Sequence, residues 1–244
     1  MQIIFLGDSL TKGIPGVSYL RILERRLPQH TLINWGLGGD TVISLYRRML
    51  KHDLQGPFDI AVLWIGTNDV YARLEPIHPW VRKLRWQPWS KNEAEFRQYY
   101  RQVLDYICPR ARQVIAVTPL AVGEDREGHW NRQLAHLAEV ECQVLGDYPE
   151  VSLVDLQAET AAALFPAEPA PYVATATFSV LWDALALVTN EQVDRVSRRR
   201  GLHFTLDGVH LNSLGANQVA GALEPALREA IRRLDGAAPA EENN

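Results

Sequence analysis

Five short apolar runs alternate with amphipathic helical patterns along most of this 244-residue chain. Apolar runs without an alternating polar face are typical of strands that are buried on both sides, and the intervening helices supply the cover. The runs are Gln2 to Leu6, Thr31 to Asn34, Asp59 to Ile65, Gln113 to Thr118 and Val151 to Leu156. This order predicts βαβ units and an α/β fold, a three-layer α/β/α sandwich around a parallel five-stranded sheet.

The helical segments between the runs carry their apolar residues at helical spacing, on one face. Helices are predicted over Val17 to Leu27, Ile43 to Leu50, Glu93 to Ile107, Trp130 to Leu145 and Asn212 to Leu234. We expect a single domain over residues 1–234 and a frayed, small-residue and acidic tail over residues 235–244.

Two stretches interrupt this alternation and look like insertions near one end of the sheet. Residues 71–90 are rich in Trp, Pro and Arg, whereas residues 165–206 are far longer than the usual connection of about 2–6 residues. Within the second insertion, Phe178 to Val188 and Asn190 to Arg200 could each form a helix.

Charge and composition exclude several classes of function. The chain has 25 Lys and Arg against 29 Asp and Glu, a net charge of -4, which argues against a nucleic-acid partner. The sequence contains no apolar run of about 18 residues, the length that would predict a membrane span. Because Met1 leads directly into a strand without a leader pattern, we expect a cytoplasmic protein, although a secreted mature form would have the same sequence.

The two cysteines, Cys108 and Cys142, are far apart and lack a clustered histidine partner. This pattern predicts neither a disulfide framework nor a zinc site. We expect both to be small buried apolar residues.

The segment Gly7-Asp8-Ser9-Leu10 directly follows the first predicted strand. Open α/β sheets bind their ligands at the carboxyl ends of the strands, so the Ser9 hydroxyl is a candidate nucleophile. Gly, Asp and Ser are also common turn residues, and an ordinary turn is the alternative.

Polar residues follow the second and third predicted strands in the same way. Asn34-Trp35-Gly36-Leu37-Gly38-Gly39-Asp40-Thr41 is a glycine-rich loop that can point N–H groups at an anion or oxyanion. A dinucleotide loop is the rival interpretation, but the sixth-position Gly or Ala is missing. Gly66-Thr67-Asn68-Asp69 follows the third strand, where the Asn68 amide could donate to an oxyanion or simply cap a turn.

Near the carboxyl end, Asp207-Gly208-Val209-His210 places two residues between a carboxylate and an imidazole. In a short turn the carboxylate can reach Nδ1 and leave Nε2 free to accept a proton, which is what a catalytic base needs. We expect the remaining histidines to be ordinary surface or core residues: His30, His52, His78, His129, His136 and His203.

Together these four segments resemble, in order, the motifs of the SGNH hydrolases, the superfamily that contains the GDSL-type lipases and esterases. The resemblance implies a flavodoxin-like sandwich with no metal or organic cofactor. It also implies Ser9 as nucleophile, His210 as general base and then acid, and Asp207 as the group that orients His210. The oxyanion hole would comprise the N–H groups of Ser9 and Gly39 and the side chain of Asn68.

Specificity is expected to lie in the two insertions, where tryptophan rings could stack on a sugar or cover an acyl chain. The candidate substrate-binding residues are Trp80, Trp86, Trp89 and Trp182. Packing of these rings onto the domain is the alternative.

The predicted function is that of a serine esterase acting on a small or medium carboxylic ester through an acyl-enzyme. Lysophospholipase, thioesterase and carbohydrate O-deacetylase are variants of this hypothesis. An acyltransferase with the same Ser-His-Asp site and a non-catalytic ligand-binding protein are the alternatives. The expected partner is a small-molecule ester, and the sequence does not indicate the oligomeric state.

Overall fold

A computed structural model describes residues 1–74, 87–124, 128–161 and 189–236 of the chain. At its centre lies a five-stranded sheet in the order β2-β1-β3-β4-β5, in which every neighbouring pair is parallel. The strands are β1 (Gln2–Gly7), β2 (Thr31–Gly36), β3 (Phe58–Trp64), β4 (Ala111–Val117) and β5 (Val151–Val154). The predicted α/β fold with a parallel five-stranded sheet is confirmed.

Helices connect the strands and follow the last one. They are α1 (Ser9–Lys12), α2 (Tyr19–Arg26), α3 (Val42–Lys51), α4 (Thr67–Leu74), α5 (Glu93–Ile107), α6 (His129–Leu145), α7 (Leu156–Ala161), α8 (Asn190–Arg199) and α9 (Ser213–Gly236). A 3₁₀ turn at Cys108–Arg110 leads from α5 into β4. Within the described residues, no helix is both long and apolar enough to cross a membrane.

Side chains on the two faces of the sheet belong to two separate hydrophobic cores. Along β1, Ile3 and Phe5 join the core that contains Leu23 of α2 and Leu227 of α9. Ile4 and Leu6 point to the opposite face, where the core is completed by α3, α5 and α6. Because β1 is apolar on both faces, helices must cover both, which produces the predicted three layers.

The ends of the three strands β2, β1 and β3 lie level with one another. Gly7, the last residue of β1, pairs with Gly36 of β2 on one side and with Trp64 of β3 on the other. The chain leaves β1 toward β2 and then returns past β1 to β3, so the strand order changes direction here. A crevice for a ligand is expected at such a point.

Several element boundaries differ from those that the sequence predicts. The prediction that the last strand extends to Leu156 is wrong, because β5 ends at Val154 and the Asp155 carboxylate accepts the N–H of Ala158 to start α7. Helices α1 and α4 were not predicted, and the last four residues of α4 fall within the first expected insertion, residues 71–90.

Helix α8 confirms the helix predicted over Asn190 to Arg200, whereas the segment Phe178 to Val188 lies outside the described residues. Helix α9 runs to Gly236, two residues past the predicted end, and residues 237–244 are likewise outside the described part. Cys108 and Cys142 are free and only half-buried, so the expectation that both are buried is wrong.

Candidate active site

Ser9 is the first residue of α1, immediately beyond the carboxyl end of β1. The Asp8 carboxylate caps this short helix by accepting the N–H of Leu10 at 2.9 Å. Helix α1 lies so close to the end of β2 that a Cβ on Gly36 would stand 2.8 Å from the Asp8 carbonyl oxygen. A glycine at this position therefore lets the helix that carries Ser9 pack directly on the sheet.

The structure brings Ser9 together with the predicted histidine and aspartate, although His210 is 201 residues away in sequence. Nε2 of His210 lies 3.0 Å from Oγ of Ser9, and Nδ1 of His210 lies 2.7 Å from Oδ2 of Asp207. Asp207 is fully buried and His210 is 7% exposed. The imidazole is therefore held at one nitrogen and directed at the Ser9 hydroxyl by the other.

A tight turn holds the Asp207 carboxylate against His210. Its Oδ1 accepts the backbone N–H groups of Val209 and His210 at 3.0 and 2.8 Å, and Gly208 adopts a positive φ of 86° within the turn. Burial alone would raise the pKa of Asp207, but the His210 charge and these hydrogen bonds hold the pKa of that carboxyl below its usual value. Asp207 thus stays ionised beside the imidazole.

Gly39 and Asn68 come from the loops that follow β2 and β3, and both loops lie beside Ser9. Gly39 adopts a positive φ of 81°, and a Cβ on the preceding Gly38 would stand 3.9 Å from the Ser9 Cβ. Nδ2 of Asn68 donates to the Asp40 carbonyl oxygen at 3.0 Å, which joins the two loops. Ser9, Gly39 and Asn68 therefore face the same small region at the sheet edge.

The Asn68 amide has a second partner that the sequence did not predict. Nδ2 also donates to Oδ2 of Asp8 at 2.9 Å, so both of its hydrogens are engaged. Burial raises the pKa of Asp8 to about 7, against the opposing effects of the Leu10 N–H and of His210. A buried carboxyl that titrates near neutral pH therefore lies between the proposed nucleophile and the proposed oxyanion donor.

An ion pair fixes the glycine-rich loop from behind. Asp40 pairs with Arg48 of α3 at 2.7 Å, and its other oxygen accepts the Ser44 hydroxyl at 2.8 Å. The Arg48 guanidinium lies 3.9 Å from the centre of the Trp35 ring and donates to the Trp35 carbonyl oxygen at 2.9 Å. Burial raises the pKa of Asp40 although Arg48 opposes this effect.

Asp69, next to Asn68, ties this loop to the end of the first insertion. Oδ2 of Asp69 accepts the Val42 N–H at 2.8 Å, and Oδ1 accepts the Ser90 N–H and hydroxyl at 3.0 and 2.7 Å. In the same segment Gln87 donates to the Gly38 carbonyl oxygen at 3.3 Å, and the Thr41 hydroxyl donates to the Pro88 carbonyl oxygen.

Of the four predicted substrate-binding tryptophans, the structure describes only one. Trp89 is half-buried and lies in the segment 87–90, which contacts the glycine-rich loop. Trp80, Trp86 and Trp182 lie outside the described residues. Among the residues that are described, no group of three or more His, Cys, Asp or Glu side chains could hold a metal ion.

Comparisons with known proteins agree with this geometry. The model of the GDSL-like lipase/acylhydrolase family matches residues 5–218 of the chain. No curated protein matches the chain in sequence.

Solved structures with similar folds include two acetyl xylan esterases and a lipase/acylhydrolase. The acetyl xylan esterase AlAXEase is 22% identical with a TM-score of 0.62, and the match covers 93% of this chain and 100% of that one. For the acetylxylan esterase Axe2 from Geobacillus stearothermophilus the values are 21%, 0.62, 94% and 93%. For the lipase/acylhydrolase from Enterococcus faecalis they are 18%, 0.60, 93% and 95%. At these identities the likeness establishes the fold.

Proposed function

Because the chain belongs to the GDSL-like lipase/acylhydrolase family, we propose that it hydrolyses a small or medium carboxylic ester through an acyl-enzyme formed on Ser9. The observation that carries this proposal is the continuous contact from Ser9 through His210 to Asp207, at 3.0 and 2.7 Å. Hydrogen-bond contact between nucleophile and base, with the base oriented by a third group, is the geometric requirement for activating a serine.

In the first half of the reaction, Nε2 of His210 removes the Ser9 proton as Oγ attacks the acyl carbonyl carbon. The carbonyl oxygen becomes an oxyanion, for which the N–H groups of Ser9 and Gly39 and the Asn68 amide are the proposed donors. Asp207 stabilises the imidazolium that forms, which its lowered pKa supports because the carboxylate remains charged.

In the second half, His210 gives its proton to the leaving alcohol, and the Ser9 acyl ester remains. A water molecule then attacks this ester while Nε2 takes the water's proton, and collapse of the second oxyanion returns the proton to Ser9. Each proton thus passes through the same nitrogen, the one that lies 3.0 Å from Oγ.

Two observations support a short acyl group. Gln87 lies against the glycine-rich loop, where its Oε1 would stand 3.0 Å from a Cβ on Gly39, so its side chain narrows the space beside the proposed oxyanion donors. Two of the structures with this fold are described as acetyl xylan esterases. We therefore place an acetyl ester of a carbohydrate first among the natural substrates to be tested.

A panel of p-nitrophenyl esters from acetate to long acyl chains tests the proposal, with Ser9→Ala as the matched variant. We expect turnover to be highest with short acyl groups and to disappear in Ser9→Ala, because the acyl-enzyme cannot form without Oγ. Undiminished turnover in Ser9→Ala would refute the assignment. Addition of alcohol acceptors to the same reactions distinguishes hydrolysis from acyl transfer, since transfer yields a new ester in place of the free acid.

A further inference from the structure

Glu124 is a buried carboxylate that no step of the proposed reaction uses. It follows β4 at the carboxyl edge of the sheet, its side chain is 2% exposed, and its backbone φ is 47°. A glutamate in this left-handed region is under backbone strain, which persists only where the surroundings hold the residue in place. In this conformation the Glu124 side chain reaches the backbone of residues 203–205.

The carboxylate of Glu124 is surrounded by the segment that precedes Asp207. Oε1 accepts the backbone N–H groups of Phe204 and Thr205 at 2.7 and 3.0 Å and the Thr205 hydroxyl at 3.0 Å. Oε2 accepts the His203 N–H at 2.8 Å and lies 3.1 Å from Nδ1 of His203. Three successive N–H groups and a hydroxyl therefore converge on one charge, an arrangement of strong, charge-assisted hydrogen bonds.

This arrangement reaches the Asp207–His210 turn through Gly208. The Thr205 hydroxyl, which donates to Glu124, accepts the Gly208 N–H at 3.1 Å. The Gly208 carbonyl oxygen accepts the N–H of Gly123 at 2.6 Å. The Gly208 carbonyl oxygen is thus held directly by Gly123. The Gly208 N–H is held by Glu124 through the Thr205 hydroxyl.

The segment that carries Glu124 is itself fixed to helix α6. The Asn131 amide accepts the Val122 N–H and donates to the Val122 carbonyl oxygen, both at 2.7 Å. Asn131 is 3% exposed. The anchor therefore runs from α6 through Val122 to Glu124, and from there to the turn.

We propose that Glu124 is a positioning residue, which acts through Thr205 to hold the Asp207–His210 turn where His210 reaches Ser9. The inference rests on the proposed function, because positioning has a measurable effect only if His210 transfers a proton from Ser9. Small displacements of a base from its nucleophile reduce the rate of the chemical step, by up to about 100-fold for about 1 Å, without weakening the binding of substrate.

Thr205→Val tests the connection, and the chain offers a matched control. Thr118 is also buried, donates its hydroxyl to a carboxylate (Asp155, 2.8 Å) and accepts a backbone N–H (Gln157, 3.1 Å), but its partners start helix α7 and not the Asp207–His210 turn. We expect Thr205→Val to lower kcat for p-nitrophenyl acetate at least tenfold with KM within twofold of wild type. Thr118→Val should lose similar thermal stability and keep kcat within twofold.

Two substitutions of Glu124 test the residue directly. Glu124→Gly suits the positive φ but leaves three N–H groups without their acceptor, so we expect a folded but less stable variant with kcat about 100-fold lower and KM little changed. Glu124→Gln keeps an acceptor oxygen of the same reach for Thr205, so kcat should stay within about fivefold of wild type. Equal losses of kcat in Thr205→Val and Thr118→Val would overturn the proposal, as would a folded Glu124→Gly with kcat within twofold of wild type.

The rate at which a fluorophosphonate labels Ser9 distinguishes a failure of the positioning role from a failure of the proposed function. A wild-type protein with neither ester turnover nor Ser9 labelling would refute the proposed function, and the positioning role with it. Suppose that the wild-type protein turns over esters and is labelled at Ser9. Thr205 and Glu124 variants that are then labelled at the wild-type rate would refute the positioning role alone. We expect labelling to slow in parallel with kcat.

Discussion

At the scale of single residues, the Asn68 amide presents the tightest constraint on the proposed reaction. Its two hydrogens are engaged by Asp8 and by the Asp40 carbonyl oxygen before any oxyanion exists. An oxyanion must therefore share one of them or displace a partner. Asp8 competes with the oxyanion for an Asn68 hydrogen less strongly when it is protonated than when it is ionised, because a neutral acid attracts an N–H less than a carboxylate does.

We predict that Asn68→Ala lowers kcat for p-nitrophenyl acetate by about 100- to 1000-fold, the loss of about 2.7–4 kcal/mol that follows removal of one oxyanion donor. KM should change little, because the donor acts mainly on the charge that develops in the transition state. Asn217→Ala is the control, since its amide is also hydrogen-bonded, to Ser213 and Arg26, but lies on α9. Equal kcat values for the two variants would exclude Asn68 as a donor.

Ser9, His210 and Asp207 could be selected from the sequence because each stands in a short motif, and the structure brings the three side chains together. Asp8, Asp40 and Glu124 were not assigned a role from the sequence. Their importance depends on burial and on partners distant in sequence, as in the contacts of Glu124 with residues about 80 positions away. The sequence shows that Asp8 follows a strand, but it does not show that the Asp8 carboxylate accepts the Asn68 amide.

At the scale of elements, the end of the first insertion and the glycine-rich loop are held together as one unit. Asp69 at the start of α4 accepts N–H groups from Val42 at the start of α3 and from Ser90 before α5. Three helices that cover one face of the sheet therefore begin around a single carboxylate. Because Asn68 is adjacent, any shift of this carboxylate moves a proposed oxyanion donor.

Asp69→Asn should lower both stability and kcat. An amide has one acceptor oxygen, so at least one of the two buried N–H groups loses its partner, which costs about 1–3 kcal/mol. The matched control is Asp59→Asn at the opposite edge of the sheet, where the carboxylate also accepts a backbone N–H, from Gln2, and pairs with the exposed Arg112. Urea unfolding and p-nitrophenyl acetate turnover of both variants measure the effects, and a control as damaged as Asp69→Asn in kcat would contradict this prediction.

The strands could be predicted more accurately than the short helices around the site. The five apolar runs correspond to the five strands because burial on both faces leaves a clear pattern in the sequence. Helix α1 has only four residues, too few for an amphipathic period to be recognised, and α4 begins within the polar motif Gly66-Thr67-Asn68-Asp69, which the sequence indicates as a loop. The position of α1 depends on its close approach to Gly36 of β2, and that of α4 on the contacts of Asp69 with Val42 and Ser90, all of which are tertiary.

At the scale of the whole molecule, buried acids should make the fold less stable as the pH rises. Burial raises the pKa of Asp8 to about 7 and raises the pKa of Asp40, Asp69 and Glu141 as well. Between the unfolded and folded pKa values the folded protein binds more protons than the unfolded chain, so raising the pH favours unfolding. Asp207, with a lowered pKa, acts in the opposite direction only below about pH 4, and His30, whose pKa burial lowers, does so only below about pH 6.5.

We therefore predict that the free energy of unfolding in urea decreases between pH 5 and pH 8. Asp8→Asn is the matched variant: it loses one hydrogen bond at any pH but has no charge to bury, so its stability relative to wild type should improve as the pH rises through the same range. A wild-type free energy that is constant or increases over this range would show that the buried acids do not dominate.

The 201-residue separation between Ser9 and His210 also has a consequence during synthesis. A ribosome that has translated β1, β2 and β3 has already made the proposed nucleophile and the loops of the oxyanion hole. The proposed base, His210, is translated 201 residues after Ser9. The growing polypeptide therefore carries the proposed nucleophile without its proposed base until residue 210 has been translated, and we expect products that terminate before this residue to have no esterase activity.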